Sequence, residues 1–254
     1  MKLHFQHLRE TENIGDRSCS LFDYFDWEDA TVSDVRHGDT PAHDIGIYGG
    51  GKIFGGLSKY DGVMRTKGTT NIAWGVGTAQ SFPISLRYAR ARRKMDLIGS
   101  RDYGDARYAY APCPSCMSPA FDTPPSPIHD VVFYAHAGKT AKMGITIPDT
   151  VPTLDNECAN LKTALDFIAS GATVNSNSYH GVYWGLLMGR RVLCLPFSNK
   201  FANYRQQPHY ATAKNWQDEI RNAKAQPDMC NLVRDATSKF RAQVDYRIAS
   251  HEPT

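Results

Sequence analysis

The sequence has no uninterrupted apolar run of the roughly 18 residues that a membrane-spanning helix requires. Its opening, Met1 to His7, lacks the basic, apolar and small-residue succession of a secretory signal peptide. Six cysteines in 254 residues are too few for a disulfide-stapled scaffold. These absences argue against a membrane-spanning or secreted protein, and we expect a cytoplasmic protein whose cysteines are reduced thiols.

Excess charge is also small, at a formal net charge of +3 and an isoelectric point near 8.5. This mildly basic balance suits an anionic ligand but is too weak to require nucleic acid. Hydrophobic residues make up 41% of the chain and charged residues 22%, which is typical of a folded globular protein. The length allows one large domain or two small ones.

Apolar segments alternate along the chain between strand-like and helix-like patterns. The strand-like segments are short and apolar, and they predict strands at 3–8, 44–48, 71–77, 96–99, 131–135, 172–174 and 192–195. Helical spacing of apolar residues predicts helices over 84–95, 154–168, 179–187 and 229–248, with Asp155 as the N-cap of the second. Strands that alternate with helices predict parallel sheets.

A proline-rich segment, 122–127, interrupts this alternation with three prolines in four residues. Proline disfavours both a helix interior and a central strand, so this segment predicts a linker. We therefore predict an α/β protein with two Rossmann-like, doubly wound lobes, residues 1–122 and 129–254, joined by a linker at 123–128. Ligands of such sheets bind at the carboxyl ends of the strands, so we expect the site in a cleft between the lobes.

The strongest local signal for function is the segment 173–185, where a strand ends in small polar residues and a helix begins at once. The N–H groups and positive dipole of a helix start can bind a phosphate or carboxylate, to which Ser176 and Ser178 add hydroxyl donors. His180 falls in the first helical turn, next to Gly181, and could move a proton to or from a reacting group. The alternative is a capped helix whose histidine only bonds to nearby backbone.

Glycines and basic residues follow other predicted strands. Gly49, Gly50 and Gly51 form either a tight turn or a loop whose backbone approaches a ligand closely. Arg101 ends a predicted strand and offers a planar guanidinium to phosphate or carboxylate. Lys139 follows the strand at 131–135 and adds positive charge for the same ligand.

The segment from Asn13 to Asp16 allows a catalytic and a structural interpretation. Asp16 could accept the proton of an acceptor hydroxyl as general base, or it could cap the segment that follows. Asn13 belongs to the same turn and would line the ligand site from this side.

Several of these segments, taken in their order along the chain, resemble the polysaccharide pyruvyl transferase family. In that family a serine-, aromatic- and histidine-containing segment opens the corresponding helix of the second lobe. The matching segments are 13–16, 48–51, 73–77, 101–102, 175–181, 189–193 and 196–201. The resemblance spans residues 1 to about 205.

The resemblance implies a glycosyltransferase-B-like fold, no obligatory metal or cofactor, and transfer of a group from a phosphorylated donor to a sugar hydroxyl. It makes His180 the leading catalytic candidate and Ser176, Ser178 and Lys200 candidate donor-binding residues. Family members often carry an arginine two residues before this histidine, and Ser178 stands there instead. Phosphoenolpyruvate and a nucleotide sugar therefore both remain candidate donors.

Two alternatives to a carbohydrate transferase remain open. A basic helical face could bind a DNA acceptor through its phosphates, for transfer to a hydroxymethylated base, or it could simply be solvated. Its members are Arg87, Arg90, Arg92, Arg93 and Lys94. The chain could also bind a nucleotide or sugar without turnover. Cys113 and Cys116 form a lone C-x-x-C without the further ligands that a structural zinc site needs, so we expect no metal.

Overall fold

The computed structural model describes residues 1–37, 40–51, 69–78 and 86–251, without the side chains of residues 86–88 and 90. The chain divides into two units, of which the first comprises residues 1–11, 16–117 and 233–254. The second unit comprises residues 12–15 and 118–232. Among the described residues, none of the helices combines the length and the apolar character needed to cross a membrane.

The first unit is built on a six-stranded sheet with the order β2-β1-β3-β4-β5-β6. Every strand pair in it is parallel. Its strands are β1 (Leu3–His7), β2 (Ala30–Asp34), β3 (Ile45–Gly49), β4 (Thr70–Val76), β5 (Leu97–Ser100) and β6 (Ala109–Tyr110). The helices α1 (Ile14–Arg17) and α2 (Leu86–Arg93) follow β1 and β4.

The two faces of this sheet differ because side chains alternate along each strand. One face is apolar and packs against Phe240 and Val244 of α6 (Met229–Ala249). On the other face, His4 of β1 lies at hydrogen-bond distance from Thr31 Oγ1 (2.8 Å) and Ser33 Oγ (2.9 Å) of β2. The pKa of His4 is lowered from 6.5 to about 4, chiefly by burial and to a smaller extent by the charge of the neighbouring His43.

The second unit is built on a five-stranded sheet with the order β11-β10-β9-β7-β8. Its strand pairs are also all parallel. The strands are β7 (His129–Ala135), β8 (Thr153–Asp155), β9 (Gly171–Ser176), β10 (Arg191–Cys194) and β11 (His209–Tyr210). The helices of this unit are α3 (Leu161–Ala169), α4 (Tyr179–Leu187) and α5 (Trp216–Glu219).

Helix α4 is buried at each of its nine residues. Its glycines permit this burial, because a Cβ on Gly185 would lie 3.0 Å from Val192 of β10 and 3.4 Å from Val174 of β9. The helix therefore lies directly on the sheet, and its first turn is fixed against the carboxyl end of β9.

The predicted α/β class with two parallel sheets is confirmed, but the predicted helix over 154–168 starts too early. Residues 153–155 form β8, which pairs with β7. The helix begins at Leu161 and is capped by Asn160, whose Oδ1 accepts a hydrogen bond from the Thr163 N–H at 2.9 Å. Asp155 caps a turn rather than a helix, since its Oδ1 accepts from the Glu157 N–H at 2.9 Å.

The boundaries of the two units differ from those of the two lobes predicted from the proline-rich segment. The predicted second lobe, 129–254, includes residues 233–254, which belong to the first unit. The reason is the packing of α6, because Phe240, Val244 and Ile248 contact the apolar face of the six-stranded sheet.

We expect Phe240→Ala to destabilise the first unit. The ring is fully buried and packs edge-on against Trp74, with centroids 4.7 Å apart. Its removal leaves a cavity and should lower the free energy of unfolding by about 3–5 kcal/mol. Tyr246→Ala on the same helix is the control: this ring is 71% exposed, and a change within about 0.5 kcal/mol is expected. Urea unfolding measures both, and equal effects would contradict the packing described.

Candidate functional site

Glycine loops and a buried arginine meet at the carboxyl edge of the six-stranded sheet. Gly50 has a φ of +72°, which favours glycine. The Gly77 N–H, which follows β4, donates a hydrogen bond to the Gly51 carbonyl oxygen at 2.9 Å. A Cβ on Gly77 would lie 3.3 Å from both Nε and Nη2 of Arg101, whose side chain is buried. The structure thus brings the predicted glycine loop and the predicted arginine together.

A hydroxyl–carboxylate network beside this arginine was missed by the sequence reasoning. Thr78 Oγ1 lies 2.5 Å from Ser100 Oγ and donates to Asp105 Oδ2 at 2.7 Å. Burial alone would raise the pKa of Asp105, but hydrogen bonds from Arg107 and Thr78 outweigh it and lower the pKa. Asp105 therefore stays ionised and fixes the end of β4 against the end of β5. Only the position of these residues just after strands could have indicated them.

Two buried thiols lie under the glycine loop. The sulfurs of Cys19 and Cys113 are 3.6 Å apart. A Cβ on Gly50 would lie 1.9 Å from the Cys19 Cβ, so only glycine fits there. The hydrogen bond with Cys113 and burial raise the pKa of the Cys19 thiol; the charge of Asp16 adds to this rise, and that of Arg101 opposes it. The predicted Asp16 and Arg101 therefore both act electrostatically on this sulfur.

In the second unit, the turn between β9 and α4 is held by Ser176. The Ser176 hydroxyl donates to the Tyr134 carbonyl oxygen at 2.7 Å and accepts from the Ser178 N–H at 3.0 Å. A Cβ on Gly181 would lie 2.4 Å from this hydroxyl oxygen. The Ser176 hydroxyl and the Ser178 amide are therefore engaged within the protein. Ser178 is the N-cap residue of α4, although its side chain makes no capping bond.

His180 is buried in the first turn of α4 and lies against Gly15. A Cβ on Gly15 would lie 2.1 Å from His180 Nδ1, so the imidazole occupies the space that a side chain would need. Asn13 shapes this turn, because its Oδ1 accepts from the Gly15 N–H at 3.1 Å. The ring of Trp184 lies 5.3 Å from the imidazole on the same helix. The turn at Asn13 and Gly15 therefore lies against the predicted catalytic residue His180, although the two are far apart in sequence.

The predicted lysines converge on one aromatic ring at the carboxyl edge of the five-stranded sheet. Nζ of Lys139, after β7, lies 5.6 Å from the centroid of Phe197, and Nζ of Lys200, after β10, lies 4.6 Å from it. The ring of His136 packs edge-on against Phe197 at 5.5 Å. Asn177, after β9, holds the neighbouring loop, since its Oδ1 accepts from the His136 N–H at 2.8 Å. Positive charge therefore gathers where parallel sheets bind ligands.

The basic face proposed for DNA lies partly outside the described residues. The side chains of Arg87 and Arg90 are among those not described. Arg92 and Arg93 of α2 are exposed, and Lys94 is half-buried. The expected absence of a metal or cofactor stays a prediction.

We expect Gly15→Ala to displace His180 and to destabilise the second unit. Overpacking of this kind typically costs about 1–3 kcal/mol, because the methyl group would overlap the imidazole. Gly138→Ala is the matched control: the nearest atom to its Cβ would be 4.0 Å away, on His136. Urea unfolding should separate the two variants, and an unfolding free energy for Gly15→Ala equal to that of the wild type would contradict the contact.

Comparison with known proteins finds no relative of this chain. No family model, no curated protein and no solved structure matches it.

Proposed function

We propose that this protein is a transferase that moves a glycosyl or pyruvyl group from a phosphorylated donor to a sugar-type hydroxyl. The donor is a nucleotide sugar or phosphoenolpyruvate. The observation that carries the proposal is the convergence of Lys139 and Lys200 on Phe197. The ring face attracts both ammonium groups, and an anion that binds at this edge of the sheet would be attracted by both charges.

The resemblance to the polysaccharide pyruvyl transferase family, and with it a glycosyltransferase-B-like fold, belongs to this proposal. Its support is steric: glycines within the resembling segments leave the space that the candidate side chains occupy. Gly15 gives room to the His180 imidazole, and Gly77 gives room to the Arg101 guanidinium. The segments that suggest the family are therefore the same ones that position the candidate side chains.

In the proposed reaction, Lys139 and Lys200 hold the donor phosphate and stabilise the negative charge that develops as it leaves. Arg101 offers a second anion-binding group, in a buried setting where electrostatic interactions are strong. His180 takes the proton from the acceptor hydroxyl, with its ring held by Gly15 and Trp184. Asp16 is the alternative base. The acceptor is a carbohydrate, and a hydroxymethylated base in DNA is the alternative acceptor.

We expect Lys200→Ala to weaken donor binding without unfolding the protein. A hydrogen bond to a charged group contributes about 1.5–3 kcal/mol, so the Kd should rise about tenfold or more. Lys162→Ala is the control, because this side chain is 83% exposed and pairs with Asp166 on the surface of α3. Titration calorimetry with a panel of nucleotide sugars and with phosphoenolpyruvate measures both variants. Equal affinities for the two variants would remove the lysines from the donor site.

We expect His180→Gln to abolish product formation while donor binding is kept. Glutamine retains polar volume in the buried site but cannot act as a general base at neutral pH. Mass spectrometry of reactions with simple sugar and DNA acceptors detects the product. His129→Gln, an exposed histidine on β7, is the control. Turnover by His180→Gln at the wild-type rate would contradict the catalytic role, and a wild type without turnover on any acceptor would favour a binding module.

A further inference from the structure

The first unit contains a pair of thiols whose closeness the proposed transfer reaction does not use. The sulfurs of Cys19 and Cys113 are 3.6 Å apart, and each residue is 1% exposed. The Cys113 sulfur thus has a thiol neighbour from outside the C-x-x-C that Cys113 forms with Cys116. The Cys116 sulfur lies 3.4 Å from Thr237 Oγ1 of α6.

The geometry around the pair allows a covalent bond with little movement. A disulfide joins its sulfurs at about 2.05 Å, so the two atoms need to approach by about 1.5 Å. The Ser115 hydroxyl lies 3.2 Å from the Cys113 sulfur and can follow it. Gly50 leaves the space that the Cys19 Cβ occupies.

We propose that Cys19 and Cys113 form a reversible disulfide, which makes this pair a redox modification site beneath the glycine loop 49–51. The two thiols give up two protons and two electrons as the sulfur–sulfur bond forms. Hydrogen peroxide takes them and becomes two molecules of water. A small disulfide such as oxidised glutathione is the alternative oxidant and leaves as two thiols, through a mixed disulfide. A dithiol reverses the reaction.

Burial sets the pace of this chemistry. The thiolate is the reacting form, and the hydrogen bond between the two thiols together with burial raises the pKa of Cys19. Oxidation is therefore slow, on the timescale of uncatalysed disulfide exchange, about minutes to hours.

The disulfide also acts on the anion-binding residues, and this consequence rests on the proposed function. The Cys19 carbonyl oxygen would lie 3.2 Å from a Cβ on Gly49, so movement of Cys19 shifts the loop above it. The Gly51 carbonyl oxygen accepts from the Gly77 N–H, and Gly77 lies against Arg101. Oxidation therefore moves the loop that borders the Arg101 guanidinium.

Peptide mapping of the full-length protein tests the disulfide without reference to any activity. The protein is incubated with hydrogen peroxide or oxidised glutathione, alkylated and digested without reduction. We expect a cross-linked peptide that contains Cys19 and Cys113, a loss of two hydrogen atoms from the intact mass, and reversal by dithiothreitol. Cys19→Ser and Cys113→Ser should each abolish the cross-link, and Cys116→Ser is the control that should retain it.

Two results would overturn the disulfide. One is oxidation confined to Cys158 and Cys230, which are less buried, while Cys19 and Cys113 stay alkylatable on denaturation. The other is purified protein that carries one equivalent of zinc and resists oxidation until the metal is chelated, since the sulfurs would then be metal ligands.

A second measurement tests the effect on the site. Oxidised protein should bind the phosphorylated donor at least fivefold more weakly than reduced protein, with recovery after dithiothreitol. An oxidised protein that forms the cross-link and keeps its donor affinity would overturn the coupling to the loop. A reduced protein that binds no donor would overturn the proposed function and leave the disulfide standing.

Discussion

Both the turn that holds His180 and the loop above Cys19 depend on a close approach of the backbone that only glycine allows. At Gly15, Gly50 and Gly181 a single added methyl group would overlap His180, Cys19 or Ser176 respectively. Each of these glycines follows a strand or opens a helix at a carboxyl edge. Because glycine has no Cβ, a reactive or polar side chain can lie directly against the main chain at each of these positions. The arrangement of the candidate residues therefore depends on the glycines as much as on the candidate side chains themselves.

Polar residues at these edges serve first to shape loops. Asp34 accepts hydrogen bonds from the N–H groups of Arg9 and Glu10, and Asn156 Oδ1 accepts from the Ala137 N–H at 2.8 Å. Ser176 and Asn177 do the same between β9 and its neighbours. Groups so engaged hold loops in place, and the basic side chains Lys139 and Lys200 add positive charge at the same edge.

The sequence predicted the elements that carry strong apolar patterns and failed where tertiary pairing decides. The strands β3, β4, β7, β9 and β10 are apolar enough to be found by pattern alone. By contrast, β2 mixes polar and apolar residues and is a strand because it pairs with β1. Asp155 fits a helix cap by spacing, yet its own side chain bonds to the next turn. Local pattern cannot decide between such alternatives.

The candidate residues could likewise be predicted where they form a local sequence pattern and not where the fold brings distant residues together. The turn before α4 and the glycine loop could be identified because their residue types are unusual and contiguous. The contact between Cys19 and Cys113 could not, since 94 residues separate them and only the sheet brings them together. Thr78, Ser100 and Asp105 are individually ordinary residues, and their network exists because β4 and β5 are adjacent.

Two buried histidines of β1, His4 and His7, give the protein a sensitivity to acid. His4 has a pKa near 4 in the folded protein, and burial lowers the pKa of His7 from 6.5 to about 4 as well. Between about pH 6.5 and pH 4 these histidines bind more protons in the unfolded chain than in the folded protein. Acidification through this range therefore shifts the folding equilibrium toward the unfolded state. The two histidines of β1 therefore make the folded protein less stable as the pH falls through this range.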